Sequence, residues 1–120
     1  MLQNARILVA EDEAFIALDI ALAIEEAGGL VIGPTAHVFE ALELLRKHDV
    51  SGAILDVNLA DRDVTPVALL LIDRLVPLVF HTGIDLPSEL TARHPNLIVF
   101  TKPTSPDRLI RHLHRQMKTA

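Results

Sequence analysis

Four short apolar runs, spread along the chain, each end abruptly in polar or charged residues. They are RILVAEDE (Arg6–Glu13), AILDVNLAD (Ala53–Asp61), VPLVFHTG (Val76–Gly83) and IVFTKP (Ile98–Pro103). Such runs read as buried strands, and helical apolar patterns lie between them. Strands that alternate with helices define an α/β fold with a parallel sheet. The spacing predicts strands at Ile7–Ala10, Leu30–Gly33, Gly52–Asp56, Leu78–His81 and Leu97–Phe100. Helices are expected at Ala14–Ala27, Val38–His48, Val67–Arg74 and Pro106–Lys118. In a parallel sheet the carboxyl ends of the strands share one edge, and ligands bind there. That edge would collect Glu11, Asp12, Asp56, Thr82 and Lys102.

The ends of two helices are also marked. Gly28 and Gly29 can take the left-handed conformation that stops the first helix. Ser105 precedes Pro106 and Asp107, a capping residue followed by proline at the first helical position. Between Thr82 and Lys102 the sequence holds two prolines and little apolar periodicity. A turn or two of helix over Pro87–Arg93 is expected there, so the fourth helix is short or irregular.

A chain of 120 residues makes one domain, 1–120, with no output domain expected after it. Half the residues are apolar and 22% are charged, which excludes a disordered chain. The net charge of −5 argues against a nucleic-acid-binding function, which needs a basic face. With no cysteine there is no disulfide, thiol nucleophile or thiolate metal site, which fits a reducing compartment. The apolar stretch Ala14–Ala27 is broken by Asp19, lacks a basic leader and is too short to span a bilayer. The expected protein is soluble and cytoplasmic, without a membrane partner.

Asp56 ends the central run. A carboxylate there can take a phosphoryl group as an aspartyl phosphate. Glu11 and Asp12 follow the first strand directly and offer hard oxygen ligands, which suit Mg2+ as cofactor. Each residue has a plainer reading when taken alone. Asp56 resembles an ordinary turn residue, and Glu11–Asp12 a helix start where acids suit the dipole. Lys102 resembles a solvated lysine before a turn proline, and Thr82 a strand residue chosen for its branching. Five such residues in register on one edge favour the chemical reading.

The four stretches together resemble the receiver domain of two-component response regulators, over the whole chain. The resemblance implies a doubly wound (βα)5 flavodoxin-like fold with strand order 2-1-3-4-5 and helices on both faces. It implies that Asp56 is the phosphoacceptor and that Glu11, Asp12, Asp56 and the backbone carbonyl of Asn58 hold the metal. Thr82 and Lys102 would contact phosphoryl oxygens, the Lys102–Pro103 peptide would be cis, and Gly83 would leave room for the donor. That donor would be the phosphohistidine of a histidine kinase. Such a chain is a stoichiometric phosphoacceptor, with self-catalysed phosphorylation and dephosphorylation, rather than an enzyme. It would signal through protein partners or drain phosphate from a relay.

The chain departs from the family at one place. Most receivers carry an aromatic residue three positions before the lysine; here that position is Val99, with Phe100 on the other face by strand alternation. The segment FHTGI (Phe80–Ile84) resembles single-domain receivers with a Phe-x-Thr-Gly fourth strand, found in alphaproteobacteria. Those work beside HWE-type kinases and have a pliable region in place of the fourth helix.

On the first helix, Ile16, Ile20, Ala23, Ile24 and Ala27 share one face at about 100° per residue. Phe15, Leu18 and Leu22 lie roughly opposite and are expected to dock the kinase. Among the histidines, His81 either touches the site or fills space in its strand. The basic residues of the last helix read as a solvated face. Two other functions compete. A non-phosphorylated pseudo-receiver would keep the fold as an interaction module. A hydrolase of the haloacid dehalogenase type needs a second aspartate where Asn58 stands, and is rejected. A monomer is expected.

Overall fold

The computed structural model describes residues 1–119, with side chains through Lys118. Strands and helices alternate without exception: β1 (Arg6–Ala10), α1 (Ala14–Glu26), β2 (Leu30–Thr35), α2 (Val38–Lys47), β3 (Gly52–Leu55), α3 (Thr65–Asp73), β4 (Leu78–Thr82), α4 (Ser88–Arg93), β5 (Val99–Thr101) and α5 (Pro106–Thr119). The five strands form one sheet in the order β2-β1-β3-β4-β5, and every neighbouring pair is parallel. This is the doubly wound flavodoxin-like arrangement that the resemblance implies. The strand order reverses beside β1, so the ends of β1 and β3 face the crevice where such sheets bind ligands.

β3 and β4 are buried along their whole length, and so is β1 from Ile7 to Ala10. That is why these runs are continuously apolar: helices cover both faces. Alternate side chains enter two cores. Leu8, Ala53, Leu55, Leu78 and Phe80 pack under α2, α3 and α4. Ile7, Val9, Ile54 and Val79 pack under α1 and α5, against Ile20, Ile24, Leu109, Ile110 and Leu113.

The end of α1 refines the sequence reading. Gly28 alone takes the left-handed conformation, at φ +87°. Its N–H reaches Glu25 O at 3.0 Å and the Gly29 N–H reaches Ile24 O at 2.9 Å, a Schellman closure. Gly29 serves space instead: a Cβ there would stand 2.7 Å from Leu2 Cδ1 and 2.8 Å from Ile24 Cγ2.

Three boundaries differ from expectation by two residues. α3 begins at Thr65, two residues early, with Pro66 in its first turn where the missing N–H does no harm. β2 continues to Thr35 through a cis Gly33–Pro34 peptide, and its register against β1 shifts there. β5 starts at Val99: Leu97 and Ile98 pack against the two cores, but regular pairing with β4 begins only at Val99 opposite Phe80. The fourth helix is short, six residues with Leu90 as its buried anchor. Among the described residues no helix is long and apolar enough to cross a membrane.

Candidate functional site

Three strand ends converge at the switch in strand order. The Glu11 N–H continues the β1 ladder to Thr35 O at 2.9 Å, and the Asp56 N–H reaches Ala10 O at 2.8 Å. These bonds fix the backbone under both carboxylates. Glu11 is only 4% exposed and Asp56 7%. Lys102 arrives from the end of β5, where its own N–H is held by Thr82 O at 3.0 Å. The Lys102–Pro103 peptide is cis, as the resemblance implies.

The Lys102 ammonium ties the site together. Nζ donates to Glu11 Oε2 at 3.1 Å and to Asp56 Oδ2 at 3.0 Å, and it also contacts Glu13 Oε2. Burial works against its charge, but Glu13, Asp56 and Glu11 outweigh it and hold the amine well above the ordinary lysine value. Asp56 behaves similarly. Burial pushes its carboxyl up; Glu11, Lys102 and the Val57 N–H bring it below the usual carboxylate range. That N–H donates to Asp56 Oδ1 at 2.7 Å. Glu11 goes the other way. Burial, and then its contact with Asp56, push it up to about 8. Two close carboxylates in a shielded pocket thus separate into one charged and one that keeps its proton.

Glu11, Asp12, Glu13 and Asp56 each offer an oxygen, and those oxygens lie within 4.8 Å of one another. An all-oxygen donor set with several carboxylates suits a hard divalent cation. Asn58 lies exposed just beyond β3 and bridges to Asp63.

Thr82 is buried at the end of β4, and its Oγ1 accepts the Ile84 N–H at 3.2 Å. The hydroxyl is therefore held by its own turn. Gly83 faces open space, with no atom within 4 Å of where a Cβ would stand. Val99 is 43% exposed and borders a cavity of about 570 Å³, shared with Thr82, Ile84, Leu86, His94 and Leu97. Phe100 turns to the opposite face, as alternation requires, with Arg108 5.4 Å from its ring centre and His112 edge-on at 5.3 Å. No ring stands at the position where most receivers have one.

On α1, Phe15 is 85% exposed, Leu18 52% and Leu22 48%. The face that Ile16, Ile20, Ala23, Ile24 and Ala27 share is the one that packs, with Ile20 and Ile24 buried.

Three contacts escape a reading of the sequence. Glu13 looks like the start of α1, yet it reaches Lys102. Asp61 accepts the Val38 N–H at 2.7 Å and the Phe39 N–H at 3.1 Å, and so caps α2 from the loop after β3. His81 is bound through its ring to the loop after β5. Three acids in succession at Glu11–Glu13 were a signal for the first; nothing local signals the other two.

No family model matches the chain. It is 35% identical over 79 residues to the transcriptional regulatory protein PdtaR of Mycobacterium tuberculosis; the match covers 65% of this chain. The chain spans only 38% of that protein's length. Among solved structures, a response regulator receiver protein from Sinorhizobium medicae WSM419 superposes with a TM-score of 0.82 at 27% identity, covering 98% of both chains. SdrG from Sphingomonas melonis Fr1 gives 0.77 at 30% identity, covering 98% of this chain and 99% of that one. The response regulator PhyR from Brucella abortus gives 0.75 at 32% identity, over 94% of this chain and 47% of PhyR. The chain belongs to the response regulator receiver domains.

Proposed function

We propose that this receiver domain accepts a phosphoryl group on Asp56 from the phosphohistidine of a histidine kinase, with Mg2+, and signals through protein partners. The observation that carries this reading is the meeting of Asp56 with Lys102 at 3.0 Å, beside the Glu11–Asp12 pair. Transfer to a carboxylate needs its charge neutralised and its attack aligned, more than it needs acid–base chemistry. An oxygen of Asp56 bonds to phosphorus, the P–N bond to the kinase imidazole breaks, and the imidazole leaves with that electron pair and takes a proton. Lys102 stands ready for an equatorial phosphoryl oxygen, and the Thr82 hydroxyl, whose oxygen accepts the Ile84 N–H, has its proton to donate to another. Glu11, Asp12, Asp56 and the Asn58 carbonyl would hold the cation, which offsets the negative charge gathered around the reacting oxygens.

The protein is then a stoichiometric acceptor and not a turnover enzyme. A histidine kinase, of the HWE type by the FHTGI resemblance, is its donor, and the exposed Phe15, Leu18 and Leu22 are the docking residues. Whether it acts as effector or phosphate sink depends on its downstream partner. The competing reading is a non-phosphorylated interaction module, which the exposed Val99 favours. Amide NMR with Mg2+, with and without beryllofluoride, separates the two. Beryllofluoride-dependent shifts at Asp56, Thr82 and Lys102 in wild type, absent in Asp56→Ala, support the phosphoacceptor. Identical spectra throughout would leave the interaction module.

A further inference from the structure

Two adjacent residues of β4 hold the corner that carries Lys102. Thr82 does so through its backbone: its carbonyl accepts the Lys102 N–H at 3.0 Å. His81 does so through its side chain: Nε2 accepts the Thr104 N–H at 3.2 Å. These bonds bracket Pro103, which has no N–H to offer. Thr104 Oγ1 donates to Thr101 O at 2.6 Å and folds the corner onto the end of β5.

The ring is 3% exposed. A backbone amide can only donate, so Nε2 carries the lone pair and the neutral ring keeps its proton on Nδ1. Nδ1 is buried and has no partner among the described residues. Folded proteins seldom leave a buried polar atom unpaired. An apolar side chain would fill this space without the orphan, so packing alone does not account for a histidine here. The bond to Thr104 does.

We infer that His81 is a positioning residue: by accepting the Thr104 N–H it fixes the Lys102–Pro103–Thr104 corner, and through it the place of the Lys102 ammonium beside Asp56. The inference rests on the reading of Asp56 as phosphoacceptor. His81 itself touches neither the carboxylates nor the phosphoryl group. Its effect is geometric: Nζ bridges Glu11 and Asp56 at 3.1 and 3.0 Å, and the corner sets where the side chain that makes both contacts begins.

The test uses the full chain with three substitutions. His81→Leu keeps bulk and loses the acceptor. His81→Gln keeps an acceptor at the reach of Nε2. His81→Asn keeps polarity but stops short of Thr104, and decides the matter if the leucine variant does not fold. A scalar coupling between the Thr104 amide nitrogen and His81 Nε2 should appear in wild type. Acetyl phosphate with Mg2+ should phosphorylate the Leu and Asn variants about tenfold more slowly, while Gln restores the rate to within about threefold. A folded Leu or Asn variant with the wild-type rate, or an absent coupling, overturns the inference. If wild type itself takes no phosphate, the phosphoacceptor reading fails separately, and the Lys102 Nζ resonance still reports the corner. A resonance that moves in the Leu and Asn variants and returns in Gln upholds the positioning role; one that never moves refutes it.

Discussion

Binding of Mg2+ to this site should release a proton, and the proton should come from Glu11. Without metal, burial and the neighbouring Asp56 push the Glu11 carboxyl up to about 8, while Asp56 stays charged. A carboxyl of that pKa is about 90% protonated at pH 7. A metal ion that takes Glu11 as ligand must displace that proton. The apparent affinity should therefore rise with pH until Glu11 is ionised. Between pH 6 and pH 8 the ionised fraction climbs from about 1% to about 50%, so binding should tighten about fiftyfold, or ~2.3 kcal/mol. Glu11→Gln keeps the shape and removes the titration. Its Mg2+ affinity should be weaker at pH 8 and nearly flat across the same range. Calorimetry in two buffers of different ionisation heat counts the protons directly: about 0.9 per Mg2+ for wild type at pH 7, and near zero for Glu11→Gln. A wild type with flat affinity and no proton release would refute the reasoning, because Glu11 would then be ionised already or bind only through water. Undiminished release in Glu11→Gln would move the proton to another group.

The same carboxyl sets the pH dependence of folding. Between 4.5 and about 8 the folded metal-free chain holds a proton that the unfolded chain has lost, so stability should fall as pH rises through that window. His81, held below its ordinary value by burial and by Lys102, acts in the opposite direction below pH 6.5, so the quantity to measure is wild type minus Glu11→Gln in urea melts. That difference should decline by up to about 1.4 kcal/mol per pH unit, and a level difference would contradict the assignment. Replacing Lys102 with Met leaves its carboxylates without a cation and should cost about 3 kcal/mol in metal-free protein, with Mg2+ recovering more stability in the variant than in wild type; equal urea midpoints would count against the ion cluster. Leu18→Ser with Leu22→Ser should change stability by no more than about 0.5 kcal/mol each, block phosphotransfer from kinase and spare phosphorylation by acetyl phosphate; loss of both activities would point to folding instead. Gly29→Ala forces a methyl against Leu2 and Ile24 and should lower stability by about 1–3 kcal/mol, whereas an unchanged thermal midpoint would mean that the N-terminal segment yields freely.

What could be read from the sequence follows from how each residue is placed. Glu11, Asp56, Thr82 and Lys102 each stand at or just past the end of an apolar run, and the run itself fixes where its strand stops. Parallel pairing then brings those ends to one edge whatever the loops do. Even the side of the sheet was accessible: alternation sends Val99 to the α4 cavity and Phe100 to α5. The short α4 was legible for a negative reason, since two prolines and a thin apolar pattern leave room for little more than the six residues around Leu90.

The contacts that were not legible all depend on the path of a loop. His37 sits at the start of α2 without capping it, so α2 looks uncapped in its own sequence. Its first amides instead meet Asp61, which lies 23 residues further on. The same separation divides His81 from Thr104, and 89 residues divide Glu13 from Lys102. In each case a local pattern offers an adequate but incomplete reading: a turn aspartate, a strand histidine, an acid at a helix start. The fuller role appears only when a second segment arrives with the matching donor or acceptor. This bears on the site as well as on the fold. Asp61 ties the loop that follows Asp56 to the start of α2, and His81 ties the corner that carries Lys102 to β4. The nucleophile and its cation are named by strand ends, but the backbone beneath each is steadied by a side chain whose importance no single segment discloses. A variant at Asp61 or His81 should therefore disturb Asp56 chemistry while leaving every residue of the recognised motif in place.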